Sequence, residues 1–360
     1  MSSTPAPLRA ALVGCGGMGR HLARVVASSL DYVLVAGCDL AEPQVQQFAA
    51  EFPQAVCYTD YAAMLAAERP DVVVVATHNV THAALTIQAA EVGVRGVYCE
   101  KPMATCLADG LALVEACRRH GVALAVNHQR RMLPVFLTMR RLIEGGALGQ
   151  VELVRGSCAG DVLSDGTHTV DTLRHLAGDA EVKWVFGQVY REPSNPDEPR
   201  SQGFHVSGGW RYGHPVETGA MAVFEFETGL RAEVFTGKLQ PPGRYYQDYE
   251  VFGTQGRLRR AGDQADPPLL VQMDQDGGGW KPVPLETGDK EIALVSSLQQ
   301  FARTIREGTP HPLSGQSGLK DLEIVMAIFE SARLRKKIEL PLQQPRFPLE
   351  IMIESGEMGS

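Results

Sequence analysis

The segment Gly14-Cys15-Gly16-Gly17-Met18-Gly19 restricts the fold more than any other stretch of this chain. It follows Leu8–Val13, an apolar run with strand character. It precedes Arg20–Ser29, where Leu22, Val25 and Val26 share one helical face. A G-x-G-x-x-G turn between strand and helix meets three physical needs. The first glycine allows the tight turn, the second lets backbone approach a pyrophosphate, and the third lets helix pack close on strand. The helix N-terminus then offers unpaired N–H groups to phosphates. Gly14, Gly16, Gly17, Met18 and Gly19 are therefore expected to bind a dinucleotide.

The pattern repeats downstream. Tyr32–Cys38, Val72–Ala76, Gly96–Cys99 and Val122–Val126 read as strands, Pro43 opens a helix, and Thr81–Glu91 and Leu107–His120 read as helices. Val72–Ala76 is uninterrupted and apolar, as in strands buried on both faces. Such β-α-β alternation implies a parallel, doubly wound sheet. Asp39 ends the second strand, twenty residues beyond Gly19, where a carboxylate accepts hydrogen bonds from adenosine ribose hydroxyls. It also repels a 2′-phosphate by ~3 kcal/mol at ~5 Å and an effective dielectric near 20. Leu40, Ala41 and Glu42 follow, with no arginine to receive a phosphate. NAD is expected over NADP.

After residue 127 the style changes. Helical patterns cover Pro134–Glu144 and Thr167–Leu176. Strands follow at Val151–Gly156, Val182–Tyr190, Met221–Glu227, Leu230–Thr236, Tyr249–Phe252 and Arg257–Arg260. Short turns between the later strands imply antiparallel pairing. Residues 192–203 read as an exposed loop, and Ile292–Glu307 and Leu319–Lys336 as closing helices. The expected fold is α/β: an N-terminal Rossmann parallel sheet (1–127), then an α/β domain with an open, largely antiparallel sheet for substrate binding and oligomerisation (128–340). Residues 341–360 form a tail without clear periodicity.

With 360 residues, 44% hydrophobic and 21% charged, the chain excludes general disorder and a small disulfide scaffold. A net charge of −8 argues against nucleic-acid and anionic-membrane partners. No run approaches the roughly 18–20 apolar residues of a membrane span, and the first ten residues carry no secretory pattern. A cytoplasmic location follows as the expectation. The seven cysteines lack C-x-x-C spacing, so free thiols and no metal site are expected.

Further motifs name a family. Ala76-Thr77-His78-Asn79 with His82 ends one strand region, and Tyr98-Cys99-Glu100-Lys101-Pro102 ends the next. Together with the glycine turn, these resemble the glucose–fructose oxidoreductase / inositol dehydrogenase (Gfo/Idh/MocA) family. Gln129-Arg130-Arg131 with Pro134, the Gly145–Val151 turn and Asp248–Leu258 are similar to further family segments, and 341–360 falls outside the resemblance. The resemblance implies a nicotinamide cofactor and a sugar, cyclitol or related substrate, carried at the open sheet face of the second domain. It implies that Lys101 hydrogen-bonds the reacting oxygen and that His168 shuttles the proton. The family's aspartate stands four residues before that histidine, a place held here by Ser164, with Asp165 one residue later. Either fills the role. Lys101 is an alternative base, because a cationic nicotinamide disfavours its protonation.

Thr77, His78, Asn79, His82, Glu100, Lys101 and Gln129 are expected around the cofactor, with His78 where the family usually has proline. Lys101, Arg131, Arg155, Asp165, His168 and Tyr245 are candidate substrate contacts, since arginine forks and aromatic faces suit sugar rings and acids. Trp210 and Tyr246 are weaker candidates, and His205 and His214 flank Trp210 without standard metal spacing. The leading expectation is an NAD-dependent dehydrogenase or reductase acting on CH–OH groups. An NAD-retaining glycosidase working through a transient keto intermediate, and a dinucleotide- or sugar-sensing regulator, are the alternatives. A homodimer or homotetramer is expected, because an open sheet face calls for cover.

Overall fold

The computed structural model describes residues 5–193, 195, 197–241, 246–285 and 290–358. In the first part of the chain, strands β1 (Leu8–Val13), β2 (Tyr32–Cys38), β3 (Val56–Tyr58), β4 (Val72–Val75), β5 (Gly96–Cys99) and β6 (Ala123–Val126) alternate with helices. The helices are α1 (Gly17–Ser28), α2 (Glu42–Glu51), α3 (Tyr61–Glu68), α4 (His82–Glu91) and α5 (Leu107–His120). All strand pairs are parallel, in the order β3-β2-β1-β4-β5-β6. Strand order reverses between β1 and β4, so the loops leaving those strands diverge and open a crevice there.

Side-chain alternation divides this core between the two sheet faces. Leu12, Val72 and Val74 pack with Leu22, Val25 and Val26 of α1. Val13, Val73 and Val75 pack with Met64 and Leu65 of α3, Ala89 and Ala90 of α4, and Cys117 of α5. The sequence reading assigns neither β3 nor α3. β3 is a three-residue edge strand, while α3 carried a legible signal: Asp60 accepts the Ala63 N–H at 2.9 Å as its N-cap.

Later in the chain come α6 (Pro134–Glu144), β7 (Val151–Cys158), α7 (Thr167–Leu176), β8 (Val182–Tyr190), the short hairpin β9 (Trp210–Arg211) and β10 (His214–Pro215), β11 (Gly219–Phe226) and β12 (Arg231–Thr236). They are followed by β13 (Asp248–Gly253), β14 (Gly256–Arg260), β15 (Leu270–Met273), β16 (Trp280–Pro282), α8 (Lys290–Glu307), α9 (Gly315–Leu334), β17 (Ile338–Glu339) and α10 (Pro348–Glu354). A nine-stranded sheet runs β16-β15-β14-β13-β7-β12-β11-β8-β17. Its pairs are antiparallel except β7 with β12. One face is covered by helices: Thr169 of α7 lies against Gly156 of β7, and Ile328 of α9 against Gly187 of β8. The other face leaves Phe186, Tyr190 and Met221 about half exposed.

The chain divides into two units, Met1–Gln129 with Glu291–Leu319, and Arg130–Lys290 with Lys320–Ser360. Sequence-based boundaries run the second domain without interruption from 128 to 340. The fold instead returns 291–319 to the first unit, because Leu294, Leu298, Phe301 and Ala302 of α8 join the core beneath β1 and β4. Tyr32 also donates its hydroxyl to the Leu298 carbonyl at 2.6 Å. An apolar helical stripe announces burial without naming the surface that buries it. The 341–360 segment belongs to the second unit, where Phe347 meets Phe329 edge-on at 5.0 Å and Leu349 and Met352 are buried. Among the described residues, no helix is long and apolar enough to cross a membrane.

Candidate active site

In the first unit, the glycine turn leaves β1 under tight steric rules. Gly14 has φ +96°, and a Cβ there would stand 2.3 Å from the Ala76 carbonyl oxygen. A Cβ on Gly19 would stand 1.7 Å from the Gly14 oxygen. Gly16 and Gly17 are different: among the described residues, a Cβ on either meets nothing within 4 Å. Two glycines thus serve packing and two face open space at the start of α1. The first turn of α1 holds no acidic residue, so its N–H groups keep their positive end. Met18 is exposed beside them.

Asp39 leaves β2 with both oxygens engaged by backbone. Its Oδ2 accepts the Cys15 N–H at 2.8 Å, and its Oδ1 accepts the Ala41 N–H at 2.9 Å. The carboxylate is therefore fixed to the glycine turn, with lone pairs remaining for a hydroxyl. Burial, and after it the Asp39 charge, pushes the Cys15 thiol up to about 12, so this cysteine is an inert packing residue.

The ends of β4, β5 and β6 are knitted together. His82, at the start of α4, has Nδ1 2.8 Å from the Pro102 carbonyl and Nε2 3.1 Å from the Thr77 carbonyl. Burial lowers its pKa, and a neutral imidazole donates to only one of these oxygens at a time. His82 thus ties the loop after β4 to the Lys101–Pro102 segment, whose peptide bond is cis. Thr77 and Thr81 share a hydroxyl hydrogen bond at 2.7 Å, the Thr81 hydroxyl also lies 2.8 Å from the His78 carbonyl, and Asn79 is buried. Glu100 Oε1 accepts from the Asn127 amide at 2.6 Å, and Asn127 accepts from the Tyr98 hydroxyl at 2.7 Å. Burial raises the Glu100 carboxyl above its usual range against the pull of the Lys101 ammonium. Gln129 follows β6, with its Oε1 buried and, among the described residues, without a hydrogen-bond partner. Gly14–Gly19, Asp39, Thr77–His82, Glu100, Lys101 and Gln129 all lie at the C-terminal ends of the parallel strands, where such sheets bind ligands.

In the second unit, His168 is the second residue of α7 and is buried. The positions before it diverge. The Ser164 hydroxyl lies 3.2 Å from His214 Nε2, while Asp165 accepts from Arg211 Nη1 at 2.6 Å. Arg131 is committed elsewhere: it pairs with Asp171 at 2.7 Å and Asp179 at 2.8 Å. Arg155 lies on the open sheet face, 2.7 Å from Glu233 and 3.6 Å from Glu250. Arg200 stacks over Trp210, Arg130 over Tyr246, and His205 meets Phe204 edge-on. Tyr245 lies outside the described residues.

Sequence reasoning missed Asn127, Asp161, Arg211 and Glu217, all partners in these networks. They become partners through contacts that the order of residues does not announce. Glu217 accepts the Val162 N–H at 2.6 Å. Burial, and after it the Asp161 charge, raises its carboxyl to about 8 from the usual 4.5. Between those values the folded chain keeps a proton that the unfolded chain releases, so stability falls as pH rises through that window. Glu217→Gln is expected to flatten this dependence. Melting temperatures at about pH 5 and about pH 8.5 measure it, and an unchanged slope in the variant would count against the assignment.

Comparison with known proteins adds to the geometry. Residues 8–128 match the sequence model of the GFO/IDH/MocA oxidoreductase family, NAD-binding Rossmann fold, and residues 136–259 match the GFO/IDH/MocA C-terminal domain. D-apiose dehydrogenase of Paraburkholderia graminis is 28% identical over 99% of this chain and 96% of its own length. Myo-inositol 2-dehydrogenase of Thermotoga maritima is 24% identical over 92% of this chain and 98% of its own. The solved structure of levoglucosan dehydrogenase with NADH and levoglucosan superimposes with a TM-score of 0.77 at 22% identity, covering 93% of this chain and 100% of that one.

Proposed function

The chain belongs to the GFO/IDH/MocA family of NAD-binding oxidoreductases, and from that premise we propose that it transfers hydride between NAD and a secondary alcohol or ketone of a sugar, cyclitol or sugar derivative. The observation that carries this reading is the glycine turn. Gly16 and Gly17 open onto space at an unopposed helix N-terminus, and Asp39 is anchored beside them. This donor set fits a dinucleotide: N–H groups for pyrophosphate, a carboxylate for ribose hydroxyls, and the buried Gln129 oxygen, unpartnered among the described residues, for a carboxamide. The names of the relatives above support a polyhydroxylated substrate.

When bound, the nicotinamide supplies the hydride acceptor or donor. The chain's own residues supply the rest. Lys101 donates a hydrogen bond to the reacting oxygen, and His168 takes or returns its proton. Asp39 favours NAD, because its charge opposes an added 2′-phosphate by ~3 kcal/mol, about two decades of affinity.

The test is absorbance at 340 nm with NAD, and separately NADP, across inositols, aldoses, sugar acids and deoxy sugars. Signal growth with NAD and one substrate class is the expected result. A flat trace with NAD retained by the purified protein points to a glycosidase or sensor instead and removes this reading. The half-exposed Phe186, Tyr190 and Met221 on the open sheet face favour burial against a second copy, as a homodimer or homotetramer. Light scattering at monomer mass across micromolar concentrations would refute that assembly.

A further inference from the structure

The excursion between β8 and β11 carries Arg211 inward to the turn that leads into α7. We propose that Arg211 is a positioning residue: it staples Asp161 to Asp165 and thereby sets how α7 presents His168. This inference rests on the reading above that His168 handles the proton.

The turn is held from several directions. The Asp161 carbonyl accepts the N–H groups of Asp165 at 3.1 Å and Gly166 at 2.9 Å. Its Oδ1 accepts the Ser164 N–H at 2.6 Å, and its Oδ2 accepts Arg211 Nη1 at 2.9 Å. The same Nη1 donates to Asp165 Oδ2 at 2.6 Å, and the Asp165 carbonyl accepts the His168 N–H at 3.3 Å. One guanidinium nitrogen thus joins the first residue of the turn to the residue whose backbone caps His168. No slack remains: a Cβ on Gly160 would stand 2.0 Å from Asp165 Oδ2, and one on Gly166 would stand 2.7 Å from Val162 Cα.

Arg211 is itself fixed. Its Nε donates to the Phe204 carbonyl at 2.8 Å, and its guanidinium lies 4.8 Å and 5.0 Å from the ring centroids of Phe204 and Tyr212. A planar fork both stacks and donates in this way, whereas an ammonium supplies only the charge. Without the cation, Asp161 and Asp165 would face each other uncompensated, beside buried Glu217, and the turn would open. With two carboxylates engaging it, Arg211 acts on the turn rather than on substrate.

The experiment compares Arg211→Met, Arg211→Lys and Asp161→Asn with the wild-type full chain. Arg211→Met should lower kcat roughly 10–100-fold, the scale of a misplaced catalytic group, with the NAD dissociation constant unchanged. Dilute guanidinium chloride should restore part of that loss, and Arg211→Lys should lie between. Amide exchange across 161–170 should rise roughly tenfold or more, while the Gly14–Gly19 turn keeps its protection. Wild-type kcat and exchange in Arg211→Met overturn the proposal. So do a uniform rise in exchange across the second unit and a lack of guanidinium rescue, which would mark a merely structural arginine. Where Arg211→Met fails to fold, Arg211→Lys and Asp161→Asn carry the same test. Absence of NAD-linked turnover in the wild type defeats the functional reading alone, since exchange still reports on the staple.

Discussion

Replacing Lys101 by alanine is expected to cut turnover by roughly 10²–10⁴-fold while leaving NAD affinity nearly intact. That corresponds to about 3–5 kcal/mol of transition-state stabilisation. The separation follows from the layout of the strand ends. The groups assigned to the cofactor's phosphates and ribose are the Gly14–Gly19 turn and Asp39, at β1 and β2, whereas Lys101 leaves β5. Its backbone is set by neighbours that the variant keeps: Glu100 is held by Asn127, and the Pro102 carbonyl lies 2.8 Å from His82 Nδ1. Initial rates at 340 nm and a fluorescence titration with NAD measure the two quantities. Undiminished turnover would strip Lys101 of its role. Parallel loss of turnover and NAD affinity would make it a binding residue instead.

Arg131→Met is expected to act on stability rather than on substrate affinity. Arg131 is 3% exposed and its partner Asp171 only 1%. Arg131 pairs with the Asp171 carboxylate at 2.7 Å and also donates to the Asp171 carbonyl at 3.1 Å. Removing the cation takes away the ion-pair partner 2.7 Å from a buried carboxylate, which costs about 3–5 kcal/mol. The melting temperature should fall by roughly 10 °C. The double variant Arg131→Met/Asp171→Asn should recover much of that loss, because the buried Asp171 charge is removed along with its partner. Calorimetry of the three variants provides the check. A wild-type melting temperature combined with a raised KM would return Arg131 to the list of substrate contacts suggested by its sequence.

Both cases mark where reading the sequence succeeds and where it stops. The glycine turn and the strand ends were legible because their demands are local. Gly14 must take φ +96° and Gly19 must admit the Gly14 carbonyl, and only glycine meets those terms. Val72–Ala76 reads as a buried parallel strand, and β4 covers Val72–Val75, because burial on both faces demands an unbroken apolar run. Lys101 and His168 are proposed for the chemistry from the motifs around them, Glu100-Lys101-Pro102 and Asp165–Asp171. The carboxylate partners of Arg131 and Arg155 were not legible, because a guanidinium beside carboxylates and one beside substrate look alike in sequence. The same holds for Ser164 and Asp165, which are adjacent in the chain yet engage different partners, His214 and Arg211.

The sequence by itself determined the parallel first sheet, the glycine turn with Asp39 beside it and the largely antiparallel second sheet. These depend on periodicity and on backbone geometry over a few residues, both written directly in the order of side chains. Tertiary structure alone decided that α8 returns to the first unit and that Arg131 is consumed by Asp171 and Asp179. It alone decided that Arg211 crosses some fifty positions to hold the turn before His168. An apolar stripe or a charged side chain declares that it needs a partner, and the choice among many candidates is made by packing between segments far apart in the chain.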